Sequence, residues 1–254
     1  MYEMKRQVTY SEVAPDLKVN MAGLVHYFQD CTIAHSETVG LGVSAVERTH
    51  RAWFLSSWQI EVERYPEFME PITVRTWAHD FKGMYGHRNF TLSDKRDNLI
   101  VRANSIWILM DVNKMMPTRI TEEDAAPYPL ESALDMKYDP RKIKVMEEEN
   151  RIVSEIWEPV IVKPSFLDSN HHVNNGRYVE EALDCLLHND IPIRKMRVDY
   201  RKAAKLGDVM HPVCYCKDGI QQVVFLDDGG GIYVIVECHP CTAPSRALKK
   251  ISFE

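Results

Sequence analysis

Asp168, Asn170 and His172 stand at alternate positions in the stretch Asp168-Ser-Asn-His-His-Val-Asn-Asn-Gly-Arg-Tyr178. Together these residue types can carry out acyl-transfer chemistry. A neutral imidazole takes a proton from water near neutral pH. A carboxylate orients the imidazole or the water, and an Asn amide donates to a carbonyl oxygen as it becomes an oxyanion. In an extended segment alternate side chains point the same way, so the spacing predicts one wall carrying all three. Asn174-Asn175-Gly176 follows, then a run from Tyr178 to Leu187 that reads as a helix. Its N-terminus, around Val173, Asn174 and Asn175, is expected to add backbone N–H groups and a dipole that favours negative charge. Such a site suits attack of water on an activated acyl carbon, above all a thioester, whose thiolate leaves without protonation. The bland alternative is a turn in which the three residues only cap the following helix.

The elements that must hold this site come in two copies. Val19-Asn20 leads into Leu24-Val-His-Tyr-Phe-Gln-Asp-Cys31, and Val173-Asn174 leads into Tyr178-Val-Glu-Glu-Ala-Leu-Asp-Cys185. The offset is 154 residues at both ends, with Val, Asn, Asp and Cys matching. Each copy is an amphipathic helix pattern with an Asn cap. Alternating apolar and polar runs follow each helix: Trp58 to Tyr65, Ile72 to Trp77, His87 to Leu92 and Leu99 to Asp111 after the first, and Lys195 to Tyr200, Val209 to Cys216, Gln221 to Leu226 and Ile232 to His239 after the second. One helix per several strands, with no strand-helix-strand alternation, predicts an α+β fold. A helix cradled by a curved antiparallel sheet, present twice, is the tandem or double hotdog. The expected division is an N-terminal hotdog over 1–116, a linker over 117–150 and a C-terminal, catalytic hotdog over 151–254. The linker is polar and Pro-rich, with a short helix expected near Thr121–Ala126. The expected core is Trp58, Ile60, Val62, Trp77, Ile106 and Ile108 in the first half and Met196, Val198, Val224 and Ile235 in the second. The twin of the opening motif, Asp16-Leu-Lys-Val19, has an Asp but no Asn or His. Chemistry is therefore expected in the second half, leaving the first free to hold the acyl chain.

A net charge of -6 argues against nucleic acid, and 45% hydrophobic residues supply a sizeable core. No apolar run approaches the roughly 18–20 residues of a membrane span. Met1-Tyr-Glu-Met-Lys-Arg6 lacks an apolar signal core, so a cytoplasmic location is expected. The six cysteines are then expected as free thiols. Cys214-Tyr-Cys216 with Cys238-His-Pro-Cys241 is the one arrangement to weigh as a zinc site, against buried thiols in strands. His26 and His35, in the first helix, are expected as surface or half-buried residues without a clean carboxylate partner. Asp227 to Gly231 reads as a hairpin turn. Lys82 to Arg88 reads as a loop that either borders the acyl tunnel or the carrier-protein contact, or is plain.

Asp168-x-Asn-x-His-Val-Asn-Asn-x-x-Tyr178 resembles the motif of the acyl-acyl carrier protein thioesterases, the plant and bacterial enzymes that end fatty acid synthesis. The resemblance extends to Tyr27-Phe-Gln-Asp30, Trp58-Gln-Ile-Glu-Val-Glu-Arg-Tyr-Pro66, Ile72-Thr-Val-x-Thr-Trp77, Arg102-Ala-x-Ser-x-Trp107 and Val198-x-Tyr-Arg-Lys202. It spans nearly the whole chain, thinning in the linker and after about residue 219. The resemblance implies a double hotdog that releases fatty acid from acyl carrier protein without metal or organic cofactor. His172 and Asn170 fall on the family's catalytic His and Asn, and Asp168 on the Asp thought to polarise them. Val173 and Asn174 fall on the start of the helix. After Tyr200-Arg-Lys202 many members carry a Glu where this chain has Ala203, so either Asp168 and His172 suffice, or Glu180 or Glu181 substitutes, or the rate is low. Arg177, Arg194, Lys195, Arg197, Arg201, Lys202 and Lys205 form either a basic rim steering an acidic carrier protein or an ordinary solvated face. A homodimer remains open. The alternatives are an acyl-CoA thioesterase and a catalytically weak acyl-binding protein, with a zinc module more distant.

Overall fold

The computed structural model describes residues 1–152, 157–186 and 192–240. The first half holds β1 (Tyr2–Gln7), α1 (Met21–Thr38), a one-turn α2 (Val46–Thr49), β2 (Arg51–Val62), β3 (Pro71–Lys82), β4 (Tyr85–Asp94) and β5 (Leu99–Asp111). A connecting stretch carries β6 (Met116–Pro117) and α3 (Glu122–Ala125). Then come β7 (Arg151–Ile152), β8 (Val160–Ile161), α4 (Asn175–Asp184), β9 (Ile193–Tyr200), β10 (Val209–Lys217), β11 (Ile220–Leu226) and β12 (Ile232–Pro240). Both long helices begin at an Asn cap. Asn20 Oδ1 accepts the Gly23 N–H and Asn174 Oδ1 the Gly176 N–H, each at 2.9 Å. Each cap gives an acceptor to a first-turn donor that has none within the helix.

Among the described residues the strands form one 12-stranded sheet whose main path runs β1-β3-β4-β5-β2-β9-β12-β11-β10-β7. Every neighbour along that path is antiparallel. The halves meet at β2 and β9, paired from Ser57↔Asp199 to Glu61↔Lys195. The fold is the α+β double hotdog, with α1 and α4 against the sheet's inner face. Phe28 of α1 meets Trp58 and Phe90 with ring centroids 5.9 and 5.1 Å apart. Ile60, Val62, Met196 and Val198 complete this inner layer, all buried. Each such side chain contributes about 1.5–3 kcal/mol on leaving water.

The two helices also touch each other. His26 Nε2 lies 3.1 Å from Glu180 Oε1, and these residues are 154 apart, the spacing of the sequence repeat. His26 thus has the carboxylate partner that its sequence neighbourhood did not suggest. Gly176 permits the approach, because a Cβ there would come within 2.3 Å of the His26 ring.

The sheet's outer face corrects the expected core. Side chains alternate along a strand, so Val101, Ala103 and Trp107 of β5 join the inner cluster while Ile106 does not. Trp77, Ile106, Val224 and Ile235 are buried outside that cluster, and Ile108 is half-buried. Val224 and Ile235 form a second cluster with Ile143 and Tyr215, and Trp77 Nε1 donates to Ser132 O at 2.9 Å. The cover is the connecting stretch itself, which straps across the sheet. Its backbone is held by side chains rising from the strands. Asn89 Oδ1 accepts the Leu134 N–H at 3.0 Å, Gln59 Oε1 the Asp139 N–H at 2.9 Å, and Gln222 Oε1 the Met146 N–H at 2.9 Å. These buried side-chain amides do for the strap what a neighbouring strand would do. The short helix expected near Thr121–Ala126 is α3, capped at Thr121.

Candidate active site

Residues 168–172 form a tight turn between Leu167 and Val173, which bridge each other. Asp168 organises it. Its Oδ1 accepts the Asn170 N–H at 2.8 Å and the His172 N–H at 3.2 Å, and its own N–H donates to His172 O at 2.8 Å. His171 takes a left-handed conformation, φ 60°, to close the turn. The expected extended wall is therefore wrong. An Asp whose carboxylate reaches the backbone two residues on favours a turn over a strand. Among the described residues no hydrogen bond joins the Asp168 carboxylate to the His172 imidazole.

Asn170 and His172 both reach toward the first half. Asn170 borders a cavity walled by Thr32, Ile33 and Ser36 of α1, Val43 and Val46 beside it, and Trp53, Phe81 and Trp107 of the strands. His172 lies against Phe54 of β2, ring centroids 6.3 Å apart. Asn170 is exposed, and His172 and Asp168 are half-buried. A turn from one half thus presents an amide and an imidazole to the other half. Gly86 keeps the cavity wall flat, since a Cβ there would meet the Trp53 ring at 3.0 Å and the Phe81 ring at 3.2 Å. The Lys82–Arg88 segment is a strand hairpin rather than a loop, and its residues 86–88 do border the cavity.

The start of α4 differs from expectation. The Val173 N–H donates to Ala204 O at 3.0 Å and the Asn174 N–H to Phe166 O at 2.8 Å. The Gly176 and Arg177 amides are taken by Asn174. Val173 and Asn174 therefore fix the helix in place and have no N–H to offer an oxyanion. Ala204 is fully buried, and its N–H donates to Tyr178 Oη at 2.8 Å. Ala203 beside it is exposed. The candidate substitutes for the missing acid are engaged elsewhere: Glu180 with His26 and Arg177, Glu181 with Arg177 at 3.1 Å.

Six of the seven basic residues named for a rim are ion-paired, Arg177 among them. Lys195 and Arg197 face Asp139 of the strap, Arg197 also meets Glu237 at 3.0 Å, and Arg201 meets Asp199 at 2.9 Å. Lys202 pairs with Asp227 at 2.6 Å, and Arg194 lies 3.6 Å from Glu63. Asp227 to Gly231 is the expected hairpin turn, with Asp227 Oδ1 accepting the Gly229 and Gly231 N–H groups. Cys214 and Cys238 are buried free thiols in strands and Cys216 is half-buried, while Cys241 lies outside the described residues.

Phe54, Trp53, Tyr128 and Arg88 are site residues that the motif did not single out. They come from separate elements and share no local pattern. His35, expected at or near the surface, is buried beside Arg88, with its Nδ1 2.8 Å from Arg88 Nη1. Burial first, and the neighbouring guanidinium second, push the His35 imidazole down to about 4.

Known proteins share this architecture. A structure of an acyl-ACP thioesterase from Bacteroides thetaiotaomicron superposes with a TM-score of 0.83 at 23% identity, covering 94% of this chain and 96% of that one. The 12:0-ACP thioesterase from Umbellularia californica does so with a TM-score of 0.78 at 20% identity, covering 94% and 97%. In sequence, the chloroplastic acyl-carrier-protein hydrolase FATB2 of Cuphea viscosissima is 22% identical over 87% of this chain and 58% of its own length. The chloroplastic oleoyl-acyl carrier protein thioesterase 2 of Arabidopsis thaliana is 24% identical over 82% and 61%. The chain thus spans about three fifths of these plant relatives. The family model for the acyl-ACP thioesterase N-terminal domain matches residues 1–128, and that for the C-terminal domain matches residues 149–227. With two matching models over the two halves of one double hotdog, the chain belongs to the acyl-ACP thioesterase family.

Proposed function

We propose that this protein hydrolyses fatty acyl thioesters, releasing free fatty acid from acyl carrier protein in the cytoplasm. The observation that carries the reading is Asn170 at the border of a largely apolar cavity, with His172 on the same turn. In this reading residues 1–116 hold the acyl chain, 117–150 brace the sheet, and 151–254 supply the chemistry. His172 takes a proton from water as the oxygen attacks the thioester carbon. Asn170 Nδ2 donates to the oxygen that becomes negative. Collapse of the tetrahedral intermediate breaks the C–S bond and expels the phosphopantetheine thiolate. The imidazolium then returns its proton to solvent or to the thiolate. Asp168 positions both groups by shaping the turn. No step calls for a metal or organic cofactor.

The test is hydrolysis by purified protein of acyl-carrier-protein and acyl-CoA thioesters, side by side and across chain lengths. Faster turnover of the carrier-protein series supports the proposal. Equal or better turnover of acyl-CoA identifies a CoA thioesterase instead. Saturable acyl binding without hydrolysis would agree with the one observation favouring a binding protein, an alanine at 203 where many family members carry an acid.

A further inference from the structure

Arg88 stands in the wall of the first-half cavity and is only 7% exposed. A buried guanidinium ordinarily has a carboxylate partner, because desolvating an unpaired charge is costly. Among the described residues no carboxylate pairs with Arg88. Its hydrogen-bond partners among the described residues are His35 Nδ1 at 2.8 Å and Thr76 Oγ1 at 3.3 Å, and both meet Nη1. The Tyr128 ring lies beneath the guanidinium, 5.3 Å from its carbon.

His35 cannot act as the counter-ion. An imidazole that accepts a hydrogen bond from a guanidinium is neutral. Burial lowers the Arg88 guanidinium to about 10, which still leaves it charged at neutral pH. The Nε and Nη2 donors find no acceptor among the described residues. They are also not sealed away, unlike the orphaned polar atoms in Arg6, Trp58, Arg177 and Asp199. They therefore border open space, and Arg88 lines a cavity whose wall is mostly apolar, with Ile33, Leu41, Trp53 and Trp107, but also carries Ser36 and Tyr128. A plain hydrocarbon filling that space would displace water from a buried cation and leave it without acceptors.

We infer that the cavity selects acyl chains bearing an oxygen substituent, a hydroxyl, carbonyl or carboxylate oxygen that accepts from the unused N–H groups of Arg88. This rests on the proposed thioester hydrolysis and adds the substrate class. Arg88 acts as a specificity residue, binding the chain away from the bond that breaks. Ser36 Oγ and Tyr128 Oη, 3.0 Å apart, stand in the same wall as further polar partners.

The test compares length-matched acyl thioesters, plain or oxygenated at successive carbons, on wild-type protein. At least one oxygenated member should exceed its plain counterpart in kcat/KM by about tenfold or more, the scale set by satisfying buried donors. Arg88→Met should bring that ratio close to one, and Arg88→Lys should keep part of it. Plain chains turned over as well as or better than every oxygenated chain would overturn the inference. If Arg88→Met does not fold, the wild-type ratio still decides. If no thioester of either kind is cleaved, the proposed hydrolase reading fails while this one is still tested. Trp53 and Trp107 report on the cavity, so fluorescence titration with plain and hydroxylated free fatty acids reads the same preference. Equal affinities would then refute it.

Discussion

Asp168 holds His172 by the backbone: its Oδ1 accepts the His172 N–H at 3.2 Å, and the same oxygen takes the Asn170 N–H. The carboxylate thus sets where the amide and imidazole point without touching the imidazole. An asparagine keeps an acceptor oxygen at this place and an alanine does not. Asp168→Asn should retain activity within about tenfold of wild type, and Asp168→Ala should lose on the order of 10²-fold. Steady-state hydrolysis with both variants checks this. Equal loss in the two would mean that the negative charge itself takes part.

His172→Ala should lower kcat by about 10²-fold or more, the usual weight of a general base. The side chain is half-buried, so the variant should fold, as circular dichroism and thermal unfolding will show. A near-normal rate removes His172 from the mechanism.

Ala203→Glu should be tolerated or activating. Position 203 is exposed and next to Ala204, whose carbonyl receives the Val173 N–H at the start of α4. A new carboxylate there needs no space in the core. Complete loss of activity in a folded variant would mean that acid at this position is incompatible with this site.

Glu180→Gln should reduce stability by about 0.5–1 kcal/mol at neutral pH, the scale of a half-exposed ion pair. Burial raises the Glu180 carboxyl, but hydrogen bonds from His26 and Arg177 outweigh it and hold the group below its usual range. A depressed folded value gives stability that is present above the unfolded value and lost as pH falls through the folded one. Urea unfolding across the acid range should therefore show a shallower pH dependence in the variant. Parallel curves would sink the assignment.

Gln222→Ala should cost about 2 kcal/mol or more, because two backbone groups of the strap lose their partners at once. Gln222 is fully buried, accepts from the Met146 N–H at 2.9 Å and donates to Lys144 O at 3.0 Å. Hydrogen exchange at the Met146 amide should accelerate selectively. An unchanged exchange rate there would show that the strap is held by other contacts.

Strands were the most legible part of the sequence. Leu99 to Asp111 is β5 to the residue, and Ile232 to His239 falls one short of β12. Alternation reports the strand but not which face is inside when both faces are covered. That is why alternation alone puts Trp77, Val224 and Ile235 on the helix side, whereas they lie under the strap, and Ile106 is buried outside the inner cluster. The site motif misled in a related way. Spacing by two fits a strand, and it equally fits a turn in which Asp168 reaches forward to two amides. The 154-residue repeat was readable, but the His26–Glu180 contact required both helices to be placed. Arg88 and His35 are 53 residues apart, and nothing local marks them as neighbours.

The contact between His26 and Glu180 has a meaning in terms of symmetry. Positions 154 apart that touch lie on an approximate two-fold axis between the halves. In a dimer of identical chains, a residue on such an axis meets its own copy, so histidine would face histidine or glutamate would face glutamate. Neither like pair can make the imidazole–carboxylate bond seen here. Carrying both halves in one chain frees the two sides of the axis to differ. The same freedom lets one half specialise in an Asn-and-His turn while the other keeps a cavity.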